Sequence, residues 1–293
     1  MTLRQALSYA KETLAANNVE DPPLEAELLL RHTLKIDRVQ LYLGLDSELS
    51  PDQYEEFFSL VQRRLNHEPT AYITGHREFY GLDFYVDSSV LIPRPETELL
   101  VEKTLQLAQS RPLSAIAEVG TGCSAIAISL ALNLPQTRIY ATDISASALK
   151  VALANCQKHG VLNRVCLLEG DMLDPLPEPV DLIVANLPYV KESELNRVNT
   201  VNFEPPLALN GGPDGLEKIR QLGRRITGKL RSGGSLLLEI GQGQGEAVTT
   251  FLRSQFPLAE IEVTPDLSGI DRVVRLTLPL EVVKCQNSNP VRR

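Results

Sequence analysis

A side-chain amide, a proline and an aromatic ring follow directly on a short hydrophobic run, in the tetrapeptide Asn186-Leu187-Pro188-Tyr189. The run covers residues 181–185 and is bounded by turn-forming residues, which is typical of a buried strand. In open α/β sheets, ligands bind at the carboxyl ends of such strands. An amide and a ring at that place could hold a planar amide or amine against an electrophile. Together with a glycine-rich turn upstream, this pattern indicates methyl transfer.

The glycine-rich turn follows a predicted strand at residues 115–119 and opens a predicted helix. It consists of Gly120, Thr121, Gly122, Cys123 and Ser124. Glycines allow a sharp turn and a close approach of backbone to ligand, and the helix end offers unpaired N–H donors. The strict dinucleotide fingerprint is incomplete, because alanine stands where its third glycine would fall. The turn could therefore bind a dinucleotide or S-adenosylmethionine, or could be a purely structural turn.

Acidic residues end the neighbouring predicted strands. Asp143 follows the strand at 138–142 and could accept hydrogen bonds from both ribose hydroxyls of a nucleoside, or could cap the next helix. Asp171 and Met172 follow the third strand, where an acid can accept from an adenine amino group and an apolar neighbour can pack on the ring. Glu118 could meet a cofactor's ammonium group or could order the glycine turn.

These residues need a scaffold, and from about residue 114 onward strands and helices alternate. The predicted strands are 115–119, 138–142, 165–169, 181–185, 235–240, 259–263 and 271–278, and the predicted helices are 125–133, 145–158, 215–230 and 244–254. Such alternation predicts a largely parallel sheet that is covered on both faces. The last two strands have only a short connection, so we expect them to pair antiparallel.

The chain before residue 75 shows helical spacing of apolar residues and predicts a small helical bundle. Ser50 and Pro51 form a good helix start, and the aromatic stripe behind them, Tyr54, Phe57 and Phe58, is expected to be core. Residues 78–86 alternate in polarity around a glycine and predict a β-hairpin or a bulged strand pair.

Composition limits the function classes. The length of 293 residues suits two domains, and the net charge of −8 argues against a wide surface for nucleic acid. No apolar stretch approaches the roughly 20 residues of a membrane span, and the start lacks a signal peptide's apolar centre, so we expect a cytoplasmic protein. The four cysteines and four histidines show no metal-ligand spacing, so no metal site is predicted.

Several further segments carry a specific resemblance. The chain resembles the release factor glutamine N5-methyltransferases (the PrmC/HemK family) over nearly its whole length. The matching segments, besides the tetrapeptide, are residues 69–75, 78–82, 92–98, 203–209, 211–216 and 271–274. The segments at 92–98 and 203–209 distinguish this family from other N-methyltransferases better than the tetrapeptide does.

The resemblance implies an α/β fold: a seven-stranded S-adenosylmethionine-dependent methyltransferase (Rossmann-like) domain, preceded by a small helical-bundle domain and a β-hairpin linker. The implied division is a helical domain for substrate recognition at 1–74, the linker at 75–95, the methyltransferase domain at 96–283 and a polar tail at 284–293. It implies S-adenosyl-L-methionine as methyl donor and class 1 peptide-chain release factors as substrates. We expect a monomer that contacts neither nucleic acid nor membrane directly.

By position, the resemblance assigns the cofactor to the glycine turn, to Asp143, Asp171 and Met172, and to Asn186. It assigns the substrate glutamine to the tetrapeptide. Our hypothesis is that the Asn186 side-chain oxygen and the Leu187 carbonyl each accept one N–H of that glutamine's amide, while Tyr189 packs along its aliphatic stem.

The chain departs from the family pattern at two positions. Leu187 stands where the family usually has proline, and Ser124 stands where the glycine turn usually ends in glycine. The leucine keeps the backbone carbonyl but loosens φ. The serine is expected to follow the glycine path only if its φ is negative.

Three other functions compete with this interpretation. A nucleic-acid N6-adenine methyltransferase could use a similar tetrapeptide, but would need a basic face and a pocket for a flipped base. A cofactor-binding homologue with reduced turnover is suggested by the two departures. A dinucleotide-dependent oxidoreductase would explain the glycine turn but not the tetrapeptide.

Three charged residues keep open roles. Glu204 either orders the loop over the substrate pocket or contacts substrate, and Arg94 either braces the linker or contacts the cofactor region. Glu239 ends a buried strand, and its role is open.

Overall fold

The computed structural model describes residues 1–195 and 203–280. The predicted polar tail at 284–293 lies outside the described residues. Within them, no helix combines the length and the apolar character that a bilayer crossing requires.

Five helices precede residue 75. They are α1 (Leu3–Ala16), α2 (Pro22–Leu34), α3 (Arg38–Leu43), α4 (Pro51–Leu65) and α5 (Thr70–Thr74). Ser50 caps α4 in a reciprocal capping box with Gln53, as the Ser-Pro start predicts. The aromatic stripe on α4 is only partly core: Phe57 is fully buried, whereas Tyr54 is 42% exposed. Tyr54 packs instead against the Phe58 ring, with ring centroids 4.4 Å apart.

The predicted hairpin is formed by β1 (His76–Phe79) and β2 (Leu82–Tyr85), which pair antiparallel. Its two-residue turn has positive φ at both positions, 52° at Tyr80 and 71° at Gly81, which matches the right-handed twist of the strands. A single 3₁₀ turn, Pro95–Thr97, then leads into α6 (Glu98–Ser110).

The remaining chain forms a seven-stranded sheet in the order β5-β4-β3-β6-β7-β9-β8. Its strands are β3 (Ala115–Val119), β4 (Arg138–Asp143), β5 (Val165–Glu169), β6 (Val180–Ala185), β7 (Leu230–Glu239), β8 (Glu260–Pro265) and β9 (Asp271–Thr277). The first five strands of this sheet in chain order run parallel, and β9 pairs antiparallel with both β7 and β8. The antiparallel pairing of the last two strands, β8 and β9, was predicted. The strand order reverses between β3 and β6, so the ligand crevice is expected at their carboxyl ends.

Helices cover both faces of this sheet. The described helices after α6 are α7 (Ala125–Asn133), α8 (Ala146–Lys158), α9 (Pro206–Leu209), α10 (Glu217–Arg225) and α11 (Gly245–Gln255). Side chains of α6, α7 and α8 share one hydrophobic core, and those of α10 and α11 share the core on the opposite face. The predicted helix at 215–230 is too long, because a glycine-rich loop precedes it and Leu230 already pairs with Val180 as strand.

Candidate active site

The carboxyl ends of β3, β4 and β6 meet at an open cavity with about 850 Å³ of empty space. Predicted site residues in its wall are Gly120, Gly122, Asp143, Asp171, Met172, Asn186, Leu187 and Pro188. A smaller recess adjoins it, and Asn186 and Gly120 border both spaces. Thr121 and Cys123 line the recess, whereas Ser124 and Tyr189 line neither space. The structure thus brings together residues that the sequence places far apart.

The glycine turn requires glycine at two positions because of its backbone conformation. Gly120 and Gly122 have φ values of 73° and 54°, in the left-handed region. A Cβ on Gly120 would lie 3.6 Å from Leu187 Cδ2 and 3.9 Å from the Asn186 carbonyl oxygen. A side chain there would therefore enter the space between the turn and the tetrapeptide.

Ser124 follows the glycine path with a φ of +64°, so the expectation of a negative φ was wrong. A non-glycine residue in this conformation costs roughly 1–2 kcal/mol. Two hydrogen bonds inside the turn hold it there: its N–H donates to the Thr121 carbonyl at 2.8 Å, and its hydroxyl lies 2.9 Å from the Thr121 hydroxyl.

Glu118 lies beneath the turn, almost fully buried. Its Oε2 accepts from the Thr121 hydroxyl at 2.5 Å and from the Ala127 N–H at 3.1 Å. Burial raises the pKa of this carboxyl to about 8, with a smaller contribution from the charge on Asp143. Of the two roles considered from the sequence, these bonds support the ordering of the turn.

Asp143 joins the turn to the end of β4. Its Oδ2 accepts from the Gly122 N–H at 2.8 Å, and its Oδ1 accepts from the Ser145 N–H at 2.9 Å. The cap of α8 is Ser145, whose hydroxyl accepts from the Ala148 N–H, so Asp143 is not the helix cap. Each carboxylate oxygen has a second lone pair, and both can still accept from a ligand hydroxyl.

The end of β5 adds an acid and an apolar side chain. Asp171 forms an ion pair with Arg225, with 2.8 Å between Oδ2 and Nη1. Met172 is buried and has a positive φ of 51°. Because Asp171 is shared with Arg225, it offers a ligand only part of its accepting capacity.

The Asn186 side chain is oriented by one neighbour. Its Nδ2 donates to the Thr97 hydroxyl at 3.0 Å. Among the described residues, none donates a hydrogen bond to Asn186 Oδ1 or to the Leu187 carbonyl oxygen. The Leu187 side chain is buried in the sheet's core. Two acceptor oxygens of adjacent residues that line the cavity therefore have no donor among the described residues.

The other end of the tetrapeptide is anchored to β7. The Tyr189 hydroxyl donates to Glu239 Oε1 at 3.2 Å, and burial together with this carboxylate raises the pKa of Tyr189. Gln244 donates to the Tyr189 carbonyl at 3.1 Å and accepts from the Gly241 N–H at 2.8 Å. These contacts give Glu239 the role that the sequence left open.

Glycines also pack directly against the backbone of the tetrapeptide. A Cβ on Gly211 would lie 2.7 Å from Tyr189 Cα and 2.8 Å from the Pro188 carbonyl oxygen. A Cβ on Gly215 would lie 2.4 Å from the Tyr189 carbonyl oxygen. The loop before α10 thus packs on the tetrapeptide backbone to backbone, which explains the glycines at positions 211 and 215.

The segment at 203–209 closes one side of the cavity. Glu204 is buried and accepts from the Arg94 guanidinium and from the Ile92 N–H. Leu207 and the residues beside it reach the cavity wall. Arg94 therefore braces the linker, and Glu204 holds the loop beside the pocket.

Sequence reasoning missed Thr97 and Gln244. Thr97 lies inside the 92–98 segment that carried the resemblance, which was the available signal. Gln244 gave no signal, because its contacts depend on three separate loops. Within the described residues, no cluster of histidine, cysteine and acidic side chains could hold a metal ion.

The seven-stranded sheet is doubly wound, a glycine turn follows β3, and acidic residues follow β4 and β5. These features define a methyltransferase. Methyltransferases of this kind generally use S-adenosylmethionine. The PrmC N-terminal domain family matches residues 5–75, and the methyltransferase small domain family matches residues 95–204. The chain belongs to the release factor glutamine methyltransferase family.

Two relatives document this membership, and one solved structure is similar in fold only. The release factor glutamine methyltransferase of Moorella thermoacetica is 47% identical over 93% of this chain and 97% of its own length. The enzyme of the same name from Koribacter versatilis is 40% identical over 94% and 98%. A methyltransferase structure from Pyrococcus furiosus is similar in fold, with a TM-score of 0.52 and 17% identity over 69% of this chain and 91% of its own.

Proposed function

We propose that this protein transfers a methyl group from S-adenosylmethionine to the side-chain amide nitrogen (N5) of a glutamine in class 1 peptide-chain release factors. The observation that carries the proposal is the pair of open acceptors, Asn186 Oδ1 and the Leu187 carbonyl oxygen, at the wall that the glycine turn shares. The names of the relatives support the choice of substrate.

The residues present fit the cofactor. S-adenosylmethionine, when bound, supplies a methyl group activated by a positively charged sulfur, and the wall carries the carboxylates of Asp143 and Asp171. The turn from Gly120 to Ser124 leaves room that a side chain on Gly120 would fill. We assign cofactor binding to this turn, to Asp143, Asp171 and Met172, and to Asn186.

The tetrapeptide orients and stabilises the weakly nucleophilic amide nitrogen of the substrate. An amide nitrogen is a poor nucleophile, because its lone pair is delocalised into the carbonyl. Asn186 Oδ1 and the Leu187 oxygen each accept one N–H of the substrate amide, which fixes the direction of its nitrogen. The same two oxygens stabilise the positive charge that the nitrogen gains as the new N–C bond forms. The bond between the donor sulfur and the methyl carbon would break with its electron pair on sulfur, and the nitrogen then loses one proton to solvent. The products are neutral N5-methylglutamine and S-adenosylhomocysteine.

Pro188 and Tyr189 complete the proposed substrate site. The proline restricts the backbone between the two acceptors and the ring. The Tyr189 ring, held by Glu239, packs along the aliphatic stem of the glutamine. All of these groups come from one chain, so we propose that a single chain is the active unit.

The rest of the molecule serves recognition in this proposal. We assign contact with the release factor to the helical region at 1–74, the linker role to 75–95 and the chemistry to 96–283.

Peptide mass spectrometry tests the proposed reaction. The protein is mixed with methyl-labelled S-adenosylmethionine and a bacterial class 1 release factor, and the release factor is then digested. We expect one added methyl group on one glutamine, no addition with Asn186→Ala, and normal addition with Asn133→Ala, an exposed asparagine at the end of α7 whose side chain bonds its own helix. A methyl group on another residue type, none at all, or labelling of adenine in added DNA or RNA would contradict the proposal.

A further inference from the structure

A short segment of the linker forms part of the cavity wall. Ser89, Val90 and Leu91 line the main cavity, and Leu91 also borders the smaller recess. Gly120 and Asn186 border the same two spaces. Leu91 therefore lies with the glycine turn and the tetrapeptide where the two spaces join. From the sequence, this segment was assigned only a linking role.

The backbone on both sides of Leu91 is held by side chains from other parts of the chain. The Tyr72 hydroxyl, from α5, donates to the Val90 carbonyl at 2.5 Å. Glu204, from the loop beside the cavity, accepts from the Ile92 N–H at 3.4 Å. Among the described residues, no other group donates to the Val90 carbonyl.

These two bonds act on the two peptide groups that flank Leu91. The Val90 carbonyl belongs to the peptide group before Leu91, and the Ile92 N–H belongs to the peptide group after it. Because each peptide group is planar, holding both of them leaves the φ and ψ of Leu91 little freedom. The direction of the Leu91 side chain is therefore set from two sides, and one of these sides is the helical region.

The turn before Leu91 is anchored by further contacts. Asp87 Oδ1 accepts from the Ser89 N–H at 2.8 Å, and the Asp87 carbonyl accepts from the Val90 N–H at 3.2 Å. The Val90 side chain is buried in the core that α6, α7 and α8 share, and the Tyr72 ring packs against the same core. Because these contacts fix the place of the segment, the Tyr72 hydroxyl contributes mainly the orientation of one peptide group.

We infer that Leu91 packs against the cofactor beside the glycine turn and that Tyr72 is the positioning residue that holds it there, which rests on the proposed function. The N–H groups and carboxylates of the wall bind polar groups of the cofactor. Leu91 supplies an apolar surface for its carbon atoms and excludes water from them. The helical region then contributes to cofactor binding, in addition to the recognition that we assign to it.

The test measures the Kd of S-adenosylhomocysteine for the full chain by titration calorimetry. Tyr72→Phe keeps the ring and removes only the hydroxyl. The matched control is Tyr140→Phe, at a buried tyrosine whose hydroxyl donates at 2.7 Å to Glu178, near the amino end of β6. We expect the Kd to rise about three- to ten-fold in Tyr72→Phe and to stay within about two-fold of wild type in the control, with similar melting temperatures for both variants.

A double-mutant cycle shows whether Tyr72 acts through Leu91. Leu91→Ala alone should raise the Kd about three-fold or more, because apolar contact with the cofactor is lost. In that background, Tyr72→Phe should change the Kd by less than about two-fold, since the side chain that it positions is absent. A tyrosine that only stabilised the fold would lower the melting temperature and leave the Kd unchanged in both backgrounds.

The outcomes separate the two proposals. If the wild-type protein does not bind S-adenosylhomocysteine, the cofactor assignment fails and the proposed function fails with it. If it binds but adds no methyl group to glutamine, the proposed reaction fails, and the Kd values still decide the positioning role. If it binds and Tyr72→Phe keeps the wild-type Kd, or raises it equally with and without the Leu91 side chain, the positioning role is overturned.

Discussion

At the scale of single residues, the site depends on which atoms are left without a partner inside the protein. Asn186 uses its amino group on Thr97, and the Leu187 carbonyl accepts from no described residue. A hydrogen-bond acceptor left open beside a buried leucine is suited to a ligand with N–H groups. This is why the departure from proline at position 187 does not remove a group that the reaction uses.

Leu187→Pro tests that statement. Among the described residues, the Leu187 N–H donates to none, so proline removes no bond and stiffens the backbone. We expect an equal or higher kcat, together with a melting temperature lowered by a few degrees, because about 1 kcal/mol of apolar burial is lost. Leu187→Ala is the control, with a similar loss of burial and no gain in rate. A kcat that falls strongly in the proline variant would show that the leucine positions the carbonyl itself.

The site residues and the strand ends that carry them could be predicted from the sequence. The backbone conformation of the glycine turn could be predicted only in part. Gly120 and Gly122 adopt the positive φ values that glycines suggest. Ser124 does so as well, because its hydroxyl and N–H bond back to Thr121. Such local bonds offset strain, and composition does not reveal them.

At the scale of elements, the loop before α10 holds the tetrapeptide through direct backbone contact. Gly211 approaches both Pro188 and Tyr189 so closely that any side chain would displace them. Gly211 and Gly215 are therefore required for the shape of the acceptor site rather than for flexibility.

Gly211→Ala should separate this role from simple stability. The added Cβ would lie 2.7 Å from Tyr189 Cα, so the tetrapeptide must shift, and we expect kcat to fall about ten-fold or more. Gly223→Ala is the control, because its Cβ would meet the Phe251 ring at 2.6 Å, away from the site. Both variants should lower the melting temperature, but only Gly211→Ala should slow the folded enzyme. Equal kcat values for the two would contradict the account.

Strong periodicity and caps explain why the strands and long helices could be predicted. The predicted strand 115–119 and helix 125–133 match β3 and α7 to the residue. The short helices α3, α5 and α9 were missed, since four to six residues carry too few turns to show a period.

At the scale of the whole molecule, hydrogen bonds between residues far apart in sequence join the hairpin and the linker to the methyltransferase region. Asn155 of α8 accepts from the Tyr85 N–H of the hairpin at 2.8 Å and donates back to its carbonyl at 2.9 Å. Arg94 and Glu204 join the linker to the loop beside the cavity. Nothing in a single sequence pairs residues separated by 70 or 110 positions, so these contacts could not be predicted.

Global stability should depend on pH through Glu118. Burial raises its pKa from 4.5 to about 8, so between these values the folded chain binds more protons than the unfolded chain. The contribution of this group to stability is thus present below pH 4.5 and is lost as pH rises through about 8. We expect Glu118→Gln, which keeps an acceptor for Thr121 and Ala127, to gain in melting temperature relative to wild type as pH rises from about 5 to 8.5. A temperature difference that is constant over this range would contradict the assignment.

The most direct measurement is a crystal structure of the protein with S-adenosylhomocysteine and a glutamine peptide from a release factor. The account predicts that Asn186 Oδ1 and the Leu187 carbonyl oxygen both lie about 2.7–3.2 Å from the amide nitrogen of that glutamine, with Asn186 Nδ2 still on Thr97. A glutamine amide held by other groups, or an amide nitrogen that neither oxygen reaches, would contradict it.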